Sequence, residues 1–431
     1  MQFEFTLRQP LAKLAVMLAV AVGCALLAVL AASNFVVSVL TSSRVSSTRG
    51  ELVTAARYFP NSADLQGLVA EAELANLSNH LETAGRAEAA ASRAVSLTPA
   101  KYNFHLLLAS AREMKGDRAG AESALREALE RAPNRTEVQW RLANLLMREG
   151  KLDEALPLLA RAVGARPVLI SQTLALVWSL SGGSIDKLEK AAGETPKGRN
   201  DLAFFLLQRG KILEGVNIFQ KINRADRLAS PESGPLITGL INAGQIDLAR
   251  RVWGDIVTDR SEDLKPLVFN GGFESDPRAG LTQFDWMLAS NKYARVTIDR
   301  AAAHAGSRSL RVDFNGIDTT RIDGEIAQQV LLRPGTHYRL SCFVKTSGLV
   351  TPEGPRLYVT SNDKTAQVAV SDAISAGSND WRPLAVDFTA PPWGVTLLVT
   401  VRRLPKFSYD DPSRGTIWLD DFTLTEAGGG T

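Results

Sequence analysis

Hydrophobic and polar positions follow three different rules along this chain. From Leu14 to Leu40 the stretch "LAVMLAVAVGCALLAVLAASNFVVSVL" has no polar period, carries no charge and lies between Lys13 and Arg44. About 20 helical residues cross a hydrocarbon core, so the segment is long enough to span and predicts an uncleaved signal anchor. A cleaved signal peptide is the competing reading, with Arg8 and Lys13 in front and Ala31-Ala32-Ser33 as a poor cleavage site. The apolar region of such peptides is normally shorter, roughly 7 to 15 residues. Arg44 and Arg49 offset Arg8 and Lys13, so charge does not set the orientation.

From Thr48 to Val257 the pattern repeats every 34 residues. "LLLASAREMKGDRAGAESALREALERAP" and "WRLANLLMREGKLDEALPLLARAVGARP" superpose without gaps: Leu108 on Leu142, Ala109 on Ala143, Gly116 on Gly150, Ala121 on Ala155, Leu125 on Leu159, Ala128 on Ala162, Pro133 on Pro167. One step back, Leu74, Ala75, Ala87, Ala94 and Pro99 form a third copy, its turn glycine slipped to Gly85. Leu202 with Gly210 and Leu236 with Gly244 mark two further units, and "WSLSGGSIDKLEKAAGETP" reads as a shortened one. Small residues let two helices approach closely, glycine turns the chain and proline opens the next connection. One such unit cannot bury its own apolar face, so several must stack.

After "TDRSEDLKPL" the period becomes two. Short runs separated by Gly, Pro, Asn and Asp alternate over Leu310, Val312 and Phe314; Ile326, Gln328, Val330 and Leu332; Tyr338, Leu340, Cys342 and Val344; Leu384, Val386 and Phe388; and Val395, Leu397, Val399 and Val401. With no helical stretch between them, these predict one antiparallel β-sandwich of jelly-roll type. The expected organisation is therefore a multidomain α + β chain: 1–47 cytoplasmic stub and transmembrane anchor, 48–257 helical repeats, 258–267 linker, 268–426 sandwich, and 427–431 tail. In "GTIWLDDFTLTE", Trp418, Asp420, Phe422 and Leu424 share one parity, which puts Asp420 inward with three apolar side chains. A buried carboxylate needs hydrogen bonds or a cation.

Composition narrows the classes. With 431 residues, 45% hydrophobic and 22% charged, the chain has room for roughly two to four domains and is neither disordered nor polytopic. A net charge of +3 gives no ground for nucleic-acid binding. Cys24 and Cys342 sit in unrelated surroundings, so no disulfide between them is expected.

The 34-residue pattern resembles the tetratricopeptide repeat family, although His105 and Gln139 stand at the family's tryptophan position. The resemblance implies a solenoid that binds a protein partner along its concave face. In the family's register Leu106, Ser110, Glu113 and Met114 of one unit and Trp140, Asn144, Met147 and Arg148 of the next face that groove. Trp140 serves there as an anchor or packs between repeats instead. "VFNGGFES", "HAGSRSLRV", "LLRPGTHYRLSCFVK" and "IWLDDFTL", in that order, resemble the jelly-roll carbohydrate-binding modules of families 4, 9 and 22. That resemblance implies one structural calcium ion held by Glu274 and Asp420, with backbone oxygens near Gly306 and Ser307; the alternative is that Asp420 accepts backbone N–H bonds from a neighbouring loop.

Sugar recognition needs aromatic rings displayed beside polar groups. Tyr358, Trp393 and Phe343 are the glycan-binding candidates, with Trp286, Tyr293 and Trp381 as rings that equally serve a core. Arg339 and Lys345 share the parity of Phe343 and could donate to sugar hydroxyls or acids. Signs of catalysis are missing from the sequence: His80, His105, His304 and His337 are scattered, and neither an H-E-x-x-H spacing, a G-x-S-x-G elbow nor a phosphate-binding glycine loop occurs. Asp410 and Asp411, in a Pro-Gly-rich loop, read as a solvated pair.

The expectation is thus a non-catalytic scaffold or adaptor, anchored through Leu14–Leu40 with its domains periplasmic or extracellular, serving assembly or export of a cell-surface polysaccharide or other envelope material. A glycan-binding receptor is the second hypothesis, and a hydrolase with an unrecognised site the third.

Overall fold

The computed structural model describes residues 10–41, 48–76, 80–317, 319–393, 395–407, 409 and 411–427. They form two compact units, Met1–Gly198 and Arg199–Thr431.

In the first unit, α1 (Pro10–Thr41) is one helix of 32 residues. Its described side chains run unbroken only from Leu14 to Val29, those of Leu30 and Leu40 lying outside the described residues. Among the described residues no helix is long and apolar enough to cross a membrane. The span expected over Leu14–Leu40 therefore rests on sequence and is not carried by the structure. Next, α2 (Arg49–Tyr58) opens on a capping box: Thr48 Oγ1 accepts the Glu51 N–H, and the Glu51 carboxylate accepts the Thr48 N–H at 2.7 Å.

Helix pairs follow at the repeat interval: α3 (Ala63–Leu74) with α4 (His80–Leu97), α5 (Tyr102–Lys115) with α6 (Arg118–Arg131), α7 (Thr136–Arg148) with α8 (Leu152–Ala165), and α9 (Ile170–Ser181) with the short α10 (Ile185–Ala192). Gly116 and Gly150 turn two of these pairs at φ 83° and 76°, a left-handed backbone that suits glycine. Gly85 does no such work, since it lies inside α4. The buried polar side chains His105 and Gln139 repeat one geometry. His105 Nε2 lies 2.9 Å from Pro99 O and Gln139 Nε2 donates to Pro133 O at 2.6 Å, each tying a first helix to the proline six residues earlier. Ala121 and Ala155 are wholly buried at equivalent contacts. Ala155→Leu should overpack its helix pair by roughly 1 to 3 kcal/mol, read as a lower urea midpoint; no change would show that the contact has slack.

From Arg199, inside α11 (Pro196–Gln208), the second unit continues with α12 (Ile212–Gln220), α13 (Arg224–Ala229), α14 (Ser233–Asn242) and α15 (Ile246–Val257). Gly210 and Gly244 turn its two helix pairs, and the extra α13 separates them. Residues 258–267 pack onto α15: Arg250 donates to Pro266 O at 2.9 Å, and a Cβ on Gly254 would fall 2.5 Å from Leu264 Cδ1. From α15 the buried Trp253 enters the sandwich, meeting Phe269 (centroids 5.0 Å) and Phe284 (5.6 Å) edge-on and donating to Leu281 O at 2.7 Å.

Among the described residues ten antiparallel strands then build two five-stranded sheets: β1 (Met287–Leu288), β2 (Ala294–Asp299), β3 (Ser309–Asn315), β4 (Ile322–Leu331), β5 (His337–Val350), β6 (Arg356–Thr360), β7 (Gln367–Val370), β8 (Gly377–Thr389), β9 (Thr396–Arg403) and β10 (Arg414–Glu426). One sheet runs β1-β4-β9-β6-β7 and the other β2-β3-β10-β5-β8. Their facing sides bury Leu310, Val312, Ile326, Val330, Leu340, Cys342, Val399 and Val401, the positions that the two-residue alternation marks.

Two sequence expectations are corrected here. Along β10 the inward residues are Ile417 and Leu419; a bulge between Asp420 and Thr423, with Asp421 at φ 51°, then switches parity so that Phe422 and Leu424 also face inward. Trp418 and Asp420 therefore face outward, paired with Lys345 and Phe343. Asp411 is fully buried rather than solvated. It pairs with the equally buried Arg403 and accepts the N–H groups of Lys406 and Phe407, while Asp410 lies outside the described residues.

Candidate functional site

Register across β4, β9 and β6 fixes what the β1-β4-β9-β6-β7 sheet turns away from the core, because directly opposed residues share a face. Three outward rows cross it: Asp323, Arg402 and Arg356; Ala327, Thr400 and Tyr358; Gln329, Leu398 and Thr360. The Arg402 guanidinium lies 4.9 Å from the Tyr358 ring centroid and 2.7 Å from the Asp323 carboxylate, which Arg321 also reaches at 2.7 Å. Burial works against the charged form of Asp323, but Arg321 and Arg402 outweigh it and hold the carboxyl below its usual range.

Although they point outward, Ala327, Thr360 and Thr400 are fully buried and Leu398 nearly so. The β6–β7 loop accounts for this. It leaves β6 at the Thr360 end, yet Lys364 Nζ donates at 2.7 Å to the carbonyl of Asp323, two strands away and at the opposite end of the rows. Two strand spacings are about 10 Å, and the inner face is filled by core, so the loop folds back over the outer face. Thr400 Oγ1 donates to Ile326 O at 2.8 Å, but Thr360 Oγ1 and Gln329 Nε2, both buried, find no hydrogen-bond partner among the described residues. Buried polar atoms are normally paired, so these two retain capacity for a ligand or water.

On the opposite sheet, residues 301–308 cover the outer face. His304 stacks on Phe343 with ring centroids 3.6 Å apart, meets the edge of Trp381, and places Nδ1 2.6 Å from Asp421 Oδ2. Phe343 thus has a face already occupied. Asp420 is buried by this loop rather than by the core: Oδ2 accepts His304 N–H at 2.7 Å and Ala305 N–H at 3.4 Å, and Oδ1 accepts Asp421 N–H at 2.7 Å. Desolvation raises its pKa, with those N–H groups opposing. Glu274 likewise accepts Ser307 N–H at 2.8 Å, Arg308 N–H at 3.1 Å and the Ser307 hydroxyl at 2.7 Å.

Glu274, Asp420, Gly306 and Ser307 do converge, but as two carboxylates clamping one loop through its amides. Calcium takes oxygen ligands, whereas the backbone of Ser307 turns an N–H toward Glu274, and among the described residues no group of three or more metal-binding side chains occurs. The arrangement is the alternative in which Asp420 accepts backbone N–H bonds from a neighbouring loop.

The aromatic candidates are separated. Tyr358 lies on the outer face floored by β4, β9 and β6, and Phe343 on the other sheet. Trp393 is 56% exposed in the loop before β9, beside Gly394, which lies outside the described residues. Trp286 is core, against Phe273 and Phe422. In the repeats, Leu106 and Met147 are buried and belong to the core, not to a groove. Trp140 is half-buried, Asn144 spends its amide on Trp140 O at 2.8 Å, and Arg148 pairs with Glu113 at 2.6 Å. Sequence reasoning missed Asp323, Gln329, Thr360 and Arg402; only strand register, which alternation does not supply, could have found them.

Family models match two regions: Tetratricopeptide repeat over residues 112–172 and Carbohydrate binding domain over residues 265–404. No curated protein sequence matches the chain. Solved structures similar to parts of it include the enzymatically active domain of a tailspike protein of bacteriophage CBA120, at 13% identity and TM-score 0.28 over 38% of this chain and 22% of that one, so that the chain spans about a fifth of its length. Others are a carbohydrate-binding module of family 4, at 15% identity and TM-score 0.28 over 37% of this chain and 99% of that one, and YrrB, a TPR protein, at 13% identity and TM-score 0.26 over 50% and 92%. At such scores these likenesses carry no argument about function. The chain joins a tetratricopeptide-repeat segment to a C-terminal sandwich of the carbohydrate-binding domain family.

Proposed function

We propose that this chain is a non-catalytic adaptor whose sandwich binds a polysaccharide on the outer face of the β1-β4-β9-β6-β7 sheet, while its helical repeats hold a protein partner. The observation that supports the reading most is the pair of unpaired polar groups, Gln329 Nε2 and Thr360 Oγ1, on a face that turns away from the core and also carries Tyr358 and Arg402. Leaving buried hydrogen-bonding groups unmade costs stability, and a sugar's hydroxyls would pair them once the β6–β7 loop that covers them is drawn aside. The uncharged stretch from Leu14 to Leu40 supports attachment to the cytoplasmic membrane with the helical repeats and the sandwich outside it, and so a place in assembly or export of an envelope polysaccharide.

Retention of the full chain on a panel of immobilised neutral and acidic polysaccharides tests this. At least one should retard it, and Gln329→Ala should weaken that binding about tenfold, the value of roughly one hydrogen bond. Tyr358→Ala, which also releases Arg402, should weaken it further. If no member of the panel retains the protein, or Gln329→Ala and Tyr358→Ala leave retention unchanged, this face is not the site.

A further inference from the structure

The loop across this face is built to place one cation. Ser361 N–H donates to Ala366 O and Lys364 N–H to Ser361 O, both at 2.9 Å, while Asp363 Oδ1 accepts Thr365 N–H at 3.1 Å and the Thr365 hydroxyl at 2.8 Å. The tight turn holds Lys364 at φ 61°, a left-handed conformation that a side chain with a Cβ adopts at a cost. Strain of this kind persists only where the surroundings over-determine it. The ammonium reaches Asp323 O above Gly324, where a Cβ would fall 2.2 Å from Nζ, so glycine makes the seat.

Charge on this face is unevenly spent. The Asp323 carboxylate already serves both Arg321 and Arg402, and Arg356 is paired with Glu353 at 2.6 Å. Glu325 accepts from Asn291 at 2.7 Å and from the Asp323 N–H at 2.6 Å. Lys364 holds only a neutral carbonyl, and among the described residues it has no carboxylate partner. Other atoms of the face without a hydrogen-bond partner are Gln329 Nε2 and the Thr360 hydroxyl, which can donate, and Asp323 Oδ1 and Arg402 Nε, which face each other as an ion pair at 2.7 Å. The carboxylates on the face are each engaged by a cation or by N–H groups, whereas the Lys364 ammonium has no carboxylate among the described residues, the complement of a ligand that brings its own charged oxygens.

Resting on the reading of this face as a glycan site, we propose that its ligand is an anionic polysaccharide, and that an acidic group of the sugar replaces Asp323 O as the acceptor of Lys364.

The test measures affinity of the full chain for polygalacturonate, for the same polymer with its carboxylates methyl-esterified, for dextran sulfate and for dextran. Polygalacturonate should bind about tenfold more tightly than its ester, the gain expected of one charge-assisted contact. Lys364→Gln should erase that preference and Lys364→Arg should keep most of it; Lys364 is on a surface turn, so both variants should fold. Dextran sulfate binding with the same dependence on Lys364 would support the anionic class and identify sulfate as an accepted source. Equal affinity for acid and ester, both weakened by Gln329→Ala, would overturn the anionic assignment while the glycan reading stands. A preference for acid that survives Lys364→Gln would overturn the role of Lys364, and binding to none of the four polymers by a chain that the wider panel retains would overturn the anionic assignment alone.

Discussion

Asp411→Ala should lower the stability of the sandwich-bearing unit by about 3 to 5 kcal/mol, the usual cost of leaving a buried charge uncompensated. Asp411 and Arg403 are both almost without solvent exposure, and the carboxylate also takes the N–H groups of Lys406 and Phe407. Arg403 donates in turn to Thr320 O at 2.7 Å, so the pair ties the β3–β4 and β9–β10 loops together at one end of the sandwich. Urea unfolding of the intact protein checks this, and the double change Arg403→Met with Asp411→Leu should recover most of the loss because it leaves no charge unpaired. The pH dependence has a definite sign. Burial opposes ionisation of Asp411, but Arg403 and the two N–H groups outweigh it and lower the pKa. A lowered folded-state pKa stabilises above the unfolded value of about 4 and is lost as pH falls through the lower one. Acid sensitivity below about pH 4 should therefore diminish in Asp411→Asn. A variant as stable as the parent would mean that water reaches the pair.

Trp253→Ala should cost a similar amount, about 3 to 5 kcal/mol, by emptying a fully buried site. The loss should fall on both neighbours of the site, since the indole joins α15 to Phe269, Phe284 and Leu281 of the sandwich. Trp253→Phe keeps most of the ring contact and forfeits the hydrogen bond, about 1 kcal/mol. Limited proteolysis gives a second readout. Residues 258–267 pack on α15 in the native protein and should become cleavable in Trp253→Ala before the sandwich core does. Cleavage there at the native rate would show that α15 and the sandwich are held by other contacts.

Glu274, Asp420 and the "HAGSRS" loop are brought together as their motifs suggest, yet what passes between them is amide hydrogen bonding. A motif records which residues meet; whether a loop offers its N–H or C=O groups depends on backbone dihedrals that no residue type dictates, apart from glycines such as Gly306 at φ 68°. Phe343 shows the same divide. Its parity was legible, but the imidazole that covers it comes from a segment about forty residues earlier.

The sequence by itself determined the helical repeat and its 34-residue register, the places where small residues let helices touch, and the two-residue alternation that separates the inner from the outer side of most strands. Those features are periodic, and periodicity is a local property that burial enforces residue by residue. Only the tertiary structure decided the parity switch at the Asp420 bulge, the burial of Asp411 against Arg403, the docking of Trp253 and the meeting of Asp323, Gln329, Tyr358, Thr360, Lys364 and Arg402 on one face. Each of these depends on which distant strand or loop becomes a neighbour, and that is settled by strand register and loop closure across the whole sandwich rather than by any short stretch of chain.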